Sequence, residues 1–120
     1  MDKGLNIYIS LIITGDIDTQ KINEIMKIKS DNLKNKKKDI WILSTENKLE
    51  SDDINEHVNW ILDKVEIYLP KIKEQYKIDK SELACYWYSK YGHGGPYFSK
   101  QILKRIVKND LSLWIDTYYD

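Results

Sequence analysis

A strand, a turn and a short helix entered through a hydrophobic clasp occur twice in this chain, over residues 5–28 and again over residues 83–107. In the first copy Leu5, Ile7, Ile9, Leu11 and Ile13 alternate with Asn6, Tyr8, Ser10, Ile12 and Thr14, which is the period-two pattern of a strand with one face in a core. Gly15 ends that pattern. Asp18 predicts the helix start, because its carboxylate can accept from the unpaired amides of the first turn, while Ile17 staples onto Ile22. In the second copy Leu83, Cys85, Trp87, Ser89 and Tyr91 oppose Ala84, Tyr86, Tyr88 and Lys90. A glycine-rich turn follows, and Ser99 caps a helix whose clasp joins Phe98 to Leu103. That helix is expected to bury Ile102, Leu103, Ile106 and Val107, with Asn109 as a left-handed terminator.

Between the copies, residues 40–45 form a strand with Ile40, Ile42 and Ser44 opposing Trp41, Leu43 and Thr45. The longest helix follows, capped by Ser51 or Asp53, with Asp52, Asp53 and Glu56 complementing its dipole. Its stripe of Ile54, Val58, Ile61, Val65, Leu69 and Ile72 is spaced by three or four throughout, and Pro70 ends or kinks it. Residues 29–39, with Lys34, Lys36, Lys37 and Lys38 crowded together, form a solvated loop. Leu111, Leu113, Ile115 and Thr117 alternate with Ser112, Trp114, Asp116 and Tyr118 as the last strand. The order β-α-β-α-β-α-β predicts an α+β two-layer sandwich, a ferredoxin-like variant with a long central helix.

With 120 residues, 42% of them hydrophobic, the chain can bury roughly two thirds of its unfolded surface as a single domain spanning residues 1–120. Nineteen basic and nineteen acidic residues cancel, so no global field attracts a polyanion or an anionic membrane, and nucleic acid is a disfavoured partner. Cys85 is the only cysteine, which excludes an internal disulfide and fits a reducing compartment. The apolar stretch 5–13 is too short to span a bilayer and lacks the basic leader and cleavage site of a secretory signal. A cytoplasmic location is expected.

The chain resembles a bacterial family known as domain of unknown function 4279, over nearly its full length. The resemblance rests on Gly15, Asp16 and Asp18 after the first strand, the Trp41-Ile42-Leu43-Ser44 strand, and Glu56, His57, Trp60, Ile61 and Leu62 on the long helix. It extends through Gly94 and Gly95 to the aromatic last strand ending near Tyr118, and departs at Thr19, where a helix-starting Pro is expected. The family brings no activity and no catalytic residue. Its members resemble small proteins found beside bacterial toxin genes, which implies an immunity-type role by analogy.

Strand parity puts Tyr8, Trp41, Tyr86, Tyr88, Trp114 and Tyr118 opposite the mainly aliphatic positions. Such rings supply large contact area and a polar handle at low entropic cost, so they are the expected partner-binding residues, unless the long helix covers them as core. A second candidate is the turn carrying His93, Gly94, Gly95, Ser99 and Lys100, which has the general shape of an anion cradle but matches neither the P-loop nor the dinucleotide fingerprint. His57, beside the apolar stripe, is expected to be a structural histidine bonded to the preceding loop, and Cys85 a buried, inert thiol. Two histidines and one cysteine make no zinc quartet of the usual kind, and Asp16 with Asp18 has no matching third carboxylate, so neither a metal nor a cofactor is expected. An enzyme would require His93, Asp116 and His57 to converge in a cleft. The favoured expectation is a non-enzymatic module that binds another protein, with a small-ligand or nucleotide-binding regulator as the alternative.

Overall fold

The computed structural model describes residues 4–32, 39–92 and 94–119; Lys34, Lys36, Lys37, Lys38 and His93 lie outside them. In chain order the elements are β1 (Leu5–Asp16), α1 (Thr19–Met26), β2 (Ile40–Ser44), α2 (Ile54–Val65), α3 (Leu69–Gln75), β3 (Lys77–Ser89), α4 (Lys100–Lys108) and β4 (Ser112–Tyr119). The four strands form one sheet in the order β2-β1-β3-β4. Ile7, Ile9, Leu11 and Ile13 of β1 join the buried side chains of all four helices in one core, which makes the α+β two-layer arrangement.

The ferredoxin-like interleaving does not form. β1 lies directly beside β2 and is antiparallel to it, whereas β3 and β4 are parallel neighbours joined through α4. An antiparallel β2 needs the chain to pass its outer edge before entering it, and Ser30, Asp31 and Asn32 make that pass. The Asp31 amide donates to the Ile42 carbonyl at 2.7 Å, and the Ser44 amide donates to the Asp31 carboxylate at 2.7 Å.

The expected long central helix is two helices. Pro70 has no amide to donate and its ring crowds the carbonyl four residues back, so the break falls at residues 66–68, a turn upstream, and Pro70 sits in the first turn of α3. The apolar stripe survives because Val65, Leu69 and Ile72 all remain buried. Asp18 caps α1 by accepting from the amides of Gln20 and Lys21, Asp53 caps α2 through the Asn55 amide, and Ser99 caps α4 through the Ile102 amide. On α4 only Ile102 and Ile106 are buried; Leu103 and Val107 are exposed, contrary to the expected four-residue stripe. The left-handed residue after α4 is Asp110, not Asn109, whose side chain instead donates to Glu66 and to the Arg105 carbonyl.

Gly15 does not end β1. The strand continues to Asp16 through a bulge between Thr14 and Gly15, where φ is +149° and a side chain would meet the Lys77 carbonyl oxygen at 2.4 Å. The continuation pairs with the polar first half of β3, so that strand begins at Lys77 and ends at Ser89, short of Tyr91.

Candidate functional site

The antiparallel register of β1 with β2 and β3, and the parallel register of β3 with β4, sort the side chains into two faces with consistent parity. One transverse row on the helix side runs Leu43, Leu11, Leu83, Leu113, and the next runs Ile9, Cys85, Ile115. On the opposite side the rows are Ser44, Ser10, Ala84, Trp114; then Tyr8, Tyr86, Asp116; then Asn6, Tyr88, Tyr118. Trp114 is 58% and Tyr118 48% exposed, so this second face is open rather than sealed beneath α2.

Five of the six rings expected on that face are there; Trp41 is not. Its register partner is Ile13, so it points into the helix-covered core, where it is fully buried and its indole Nε1 donates to Asn23 Oδ1 of α1 at 2.8 Å. The parity of β2 was legible, but which parity faces the helices was not, because Ile40 and Ile42 are as apolar as Trp41 and Leu43.

Three of the remaining rings touch. Tyr8 stacks on Tyr86 with centroids 4.8 Å apart and planes 19° apart, and Tyr86 meets Tyr118 at 5.3 Å in a tilted arrangement. The Tyr118 hydroxyl donates to Asp116 Oδ2 at 2.9 Å, and this bond to a carboxylate raises the phenol's pKa. Burial, then the nearby Glu46 carboxylate, raises that of Tyr8. These phenols therefore stay protonated at neutral pH, and the face offers π surface, hydroxyl groups and the Asp116 carboxylate. A shallow groove of about 690 Å³ leads from Tyr8 past Glu46 and Lys48, whose ammonium pairs with Asp31, to Glu50 and Asp52.

The other expected residues are placed differently. His57 is fully buried: its Nδ1 meets Thr45 Oγ1 at 2.6 Å and its Nε2 lies 2.8 Å from the Ser51 carbonyl, so Nε2 carries the proton and Nδ1 accepts from the hydroxyl. The same Thr45 oxygen accepts from the Ile9 amide at 3.0 Å, so the histidine ties the start of α2 to β1 and β2. Asp116 lies on the open face, across the sheet from the helix layer that holds His57. In the turn before α4, the Ser99 hydroxyl is used by the Ile102 amide and the Ser99 amide donates to Asn55 Oδ1 at 2.9 Å, which leaves two of the groups an anion would need already engaged. Gly94 and Gly95 have open space around them and Lys100 is exposed. Burial pushes the Cys85 thiol up to about 11, so it is not a thiolate at neutral pH. Among the described residues, no three His, Cys, Asp or Glu side chains gather as a metal site, and no helix is long and apolar enough to cross a membrane.

The fold and site together define a class: a two-layer α+β domain with one sheet face packed by helices and the other left open and aromatic. Residues 6–120 match the model of the family described as Domain of unknown function (DUF4279), and the chain belongs to that family. No curated protein and no solved structure matches it.

Proposed function

We propose that this chain is a non-catalytic protein-interaction module that docks its partner on the open aromatic face, and more specifically an immunity-like inhibitor that occludes a toxin enzyme. The observation that carries the reading is the contacting set Tyr8, Tyr86 and Tyr118 beside Asp116 on an uncovered sheet surface. Rings held against one another lose little entropy on binding, which is what makes aromatic side chains effective anchors. Asp116, with Glu46, Glu50 and Asp52 along the adjoining groove, favours a partner that places a lysine or arginine among apolar groups. The same carboxylates disfavour a phosphate backbone. The histidine within the described residues, His57, has both ring nitrogens engaged by the fold, which supports a structural rather than a catalytic role.

The test is co-expression with the toxin-like product of a neighbouring gene, scored by growth and by a direct binding measurement. Wild-type chain should protect and bind, while Tyr86→Ala and Trp114→Ala should each weaken binding by about tenfold or more with the fold intact. Protection and affinity unchanged in the double variant would refute docking through this face.

A further inference from the structure

We propose that two copies of this chain pair edge to edge through β4, antiparallel about a twofold axis at Ile115, to make one continuous eight-stranded sheet. The two edges of the sheet are treated differently. Outside β2, the Ser30 hydroxyl takes the Ile42 amide, the Asp31 carboxylate takes the Ser44 amide, and the Asp31 amide meets the Ile42 carbonyl, so that edge is covered. At the other edge β4 has β3 on one side and, among the described residues, no strand on the other.

The sequence of β4, Ser-Leu-Trp-Ile-Asp-Thr-Tyr-Tyr, contains no lysine, arginine, proline or glycine to deter pairing. It is also unfinished on both faces. Ile115 lies in the same row as Ile9 and Cys85, which are 0% and 1% exposed, yet it is itself 43% exposed. A strand with apolar groups bare on both faces and, among the described residues, no strand along its outer side fits an occupant that continues the sheet, rather than one that lies on a face.

For a second copy, symmetry sets the register. A twofold axis perpendicular to the sheet keeps each face continuous, so directly opposed residues must share parity, and the axis must pass through a residue. Centring on Asp116 would set two carboxylates face to face. Centring on Thr117 would pair only residues 115–119 of the described strand. Centring on Ile115 aligns residues 112–118 of both strands, puts the two Ile115 side chains together on the helix side, and sets Trp114 opposite the second copy's Asp116. The zero formal net charge of the chain means two copies approach without overall repulsion.

The experiment is sedimentation velocity on the full chain from micromolar to high-micromolar concentration, with cysteine cross-linking to report the register. Wild type should run as a dimer, and Ile115→Lys, at a half-exposed position, should run as a monomer with unchanged far-UV circular dichroism and a dimer Kd raised by more than about tenfold. Val107→Lys on the exposed side of α4 and Tyr86→Ala on the open face should leave the mass unchanged, which separates this interface from the docking reading above. In a Cys85→Ala background, which removes the native thiol beside position 115, Ile115→Cys should cross-link to itself under mild oxidation, and Ser112→Cys should not. A monomeric wild type, a dimer indifferent to Ile115→Lys, a dimer broken by Val107→Lys, or cross-linking at 112 in place of 115 would each overturn the proposal.

Discussion

Two tryptophans on opposite sides of the sheet make the partition of this fold measurable, because truncating each to alanine removes the same atoms from different surroundings. Trp41 is fully buried against α1 with its indole donor bonded to Asn23, so Trp41→Ala removes a large core side chain and leaves a cavity, at a cost of about 3–5 kcal/mol. Trp114 is 58% exposed, and part of what is covered is backbone in the β3–β4 ladder. That leaves on the order of 50 Å² of indole in contact, and at about 25 cal/mol/Å² the truncation costs about 1 kcal/mol. With a urea m value of about 1.5 kcal/mol/M, the Trp41 variant should lower the unfolding midpoint by about 2–3 M and the Trp114 variant by less than about 1 M. Urea titrations followed by far-UV circular dichroism at a low protein concentration, where self-association contributes least, read both shifts. Equal costs would show that the aromatic face is packed, and the argument for a free docking surface would fall with it.

Three further outcomes follow from polar groups that hold the elements together. Arg105 donates to both carboxylate oxygens of Glu66, and with Asn109 it holds that group at about 2, well below the ordinary 4.5. A lowered folded pKa contributes stability above the unfolded value and loses it as pH falls from about 5 to about 2; with the carboxylate a third exposed, the contribution is about 1–2 kcal/mol, so the midpoint difference between wild type and Glu66→Gln should close over that window, and a pH-independent difference refutes the assignment. Thr45→Val strands the buried Ile9 amide and His57 Nδ1 together and should cost about 2–4 kcal/mol, whereas Thr45→Ser, which keeps the hydroxyl, should cost about 1; equal losses in thermal or urea unfolding would remove the bridging role. Trp87 Nε1 is buried with no acceptor among the described residues, so Trp87→Phe discards an unsatisfied donor and should cost less than Trp41→Phe by about 1 kcal/mol in the same titrations.

What was legible in the sequence is what local physics determines. The three side-chain caps at Asp18, Asp53 and Ser99 depend on a few neighbouring residues, and each forms the expected bond. The alternation of β1 holds along residues 5–13 because one face of a strand must be buried wherever it lies. Two of the misses are non-local. Residues 77–82 carry no alternation, since they are ordered by hydrogen bonding to the far end of β1 rather than by burial, and so the strand start there was invisible. Trp41 went to the wrong side because its neighbour in the sheet, Ile13, is 28 residues away in sequence. The stripe through Val65 and Leu69 reads as one helix because side-chain spacing records which face is buried and says nothing of backbone continuity.

The distribution of satisfied polar groups then locates where this domain has capacity left over. Toward the β2 side, Asn23 takes the Trp41 indole and the Ser30 amide, Ser30 and Asp31 close the outer edge, and Thr45 with His57 closes the junction of β1, β2 and α2. On the helix layer, Arg105 is spent on Asn59, Asp63 and Glu66, which locks α4 to α2. Toward the β4 side the pattern reverses: Leu113 packs against the core, but Trp114, Ile115, Tyr118 and Tyr119 are exposed on a strand of high β-propensity. Leaving that much apolar surface in water is unfavourable for an isolated domain, and neither the caps nor the core need it. On that exposed half of the sheet the groups on offer are rings, one carboxylate and an outer strand edge with no strand beside it among the described residues.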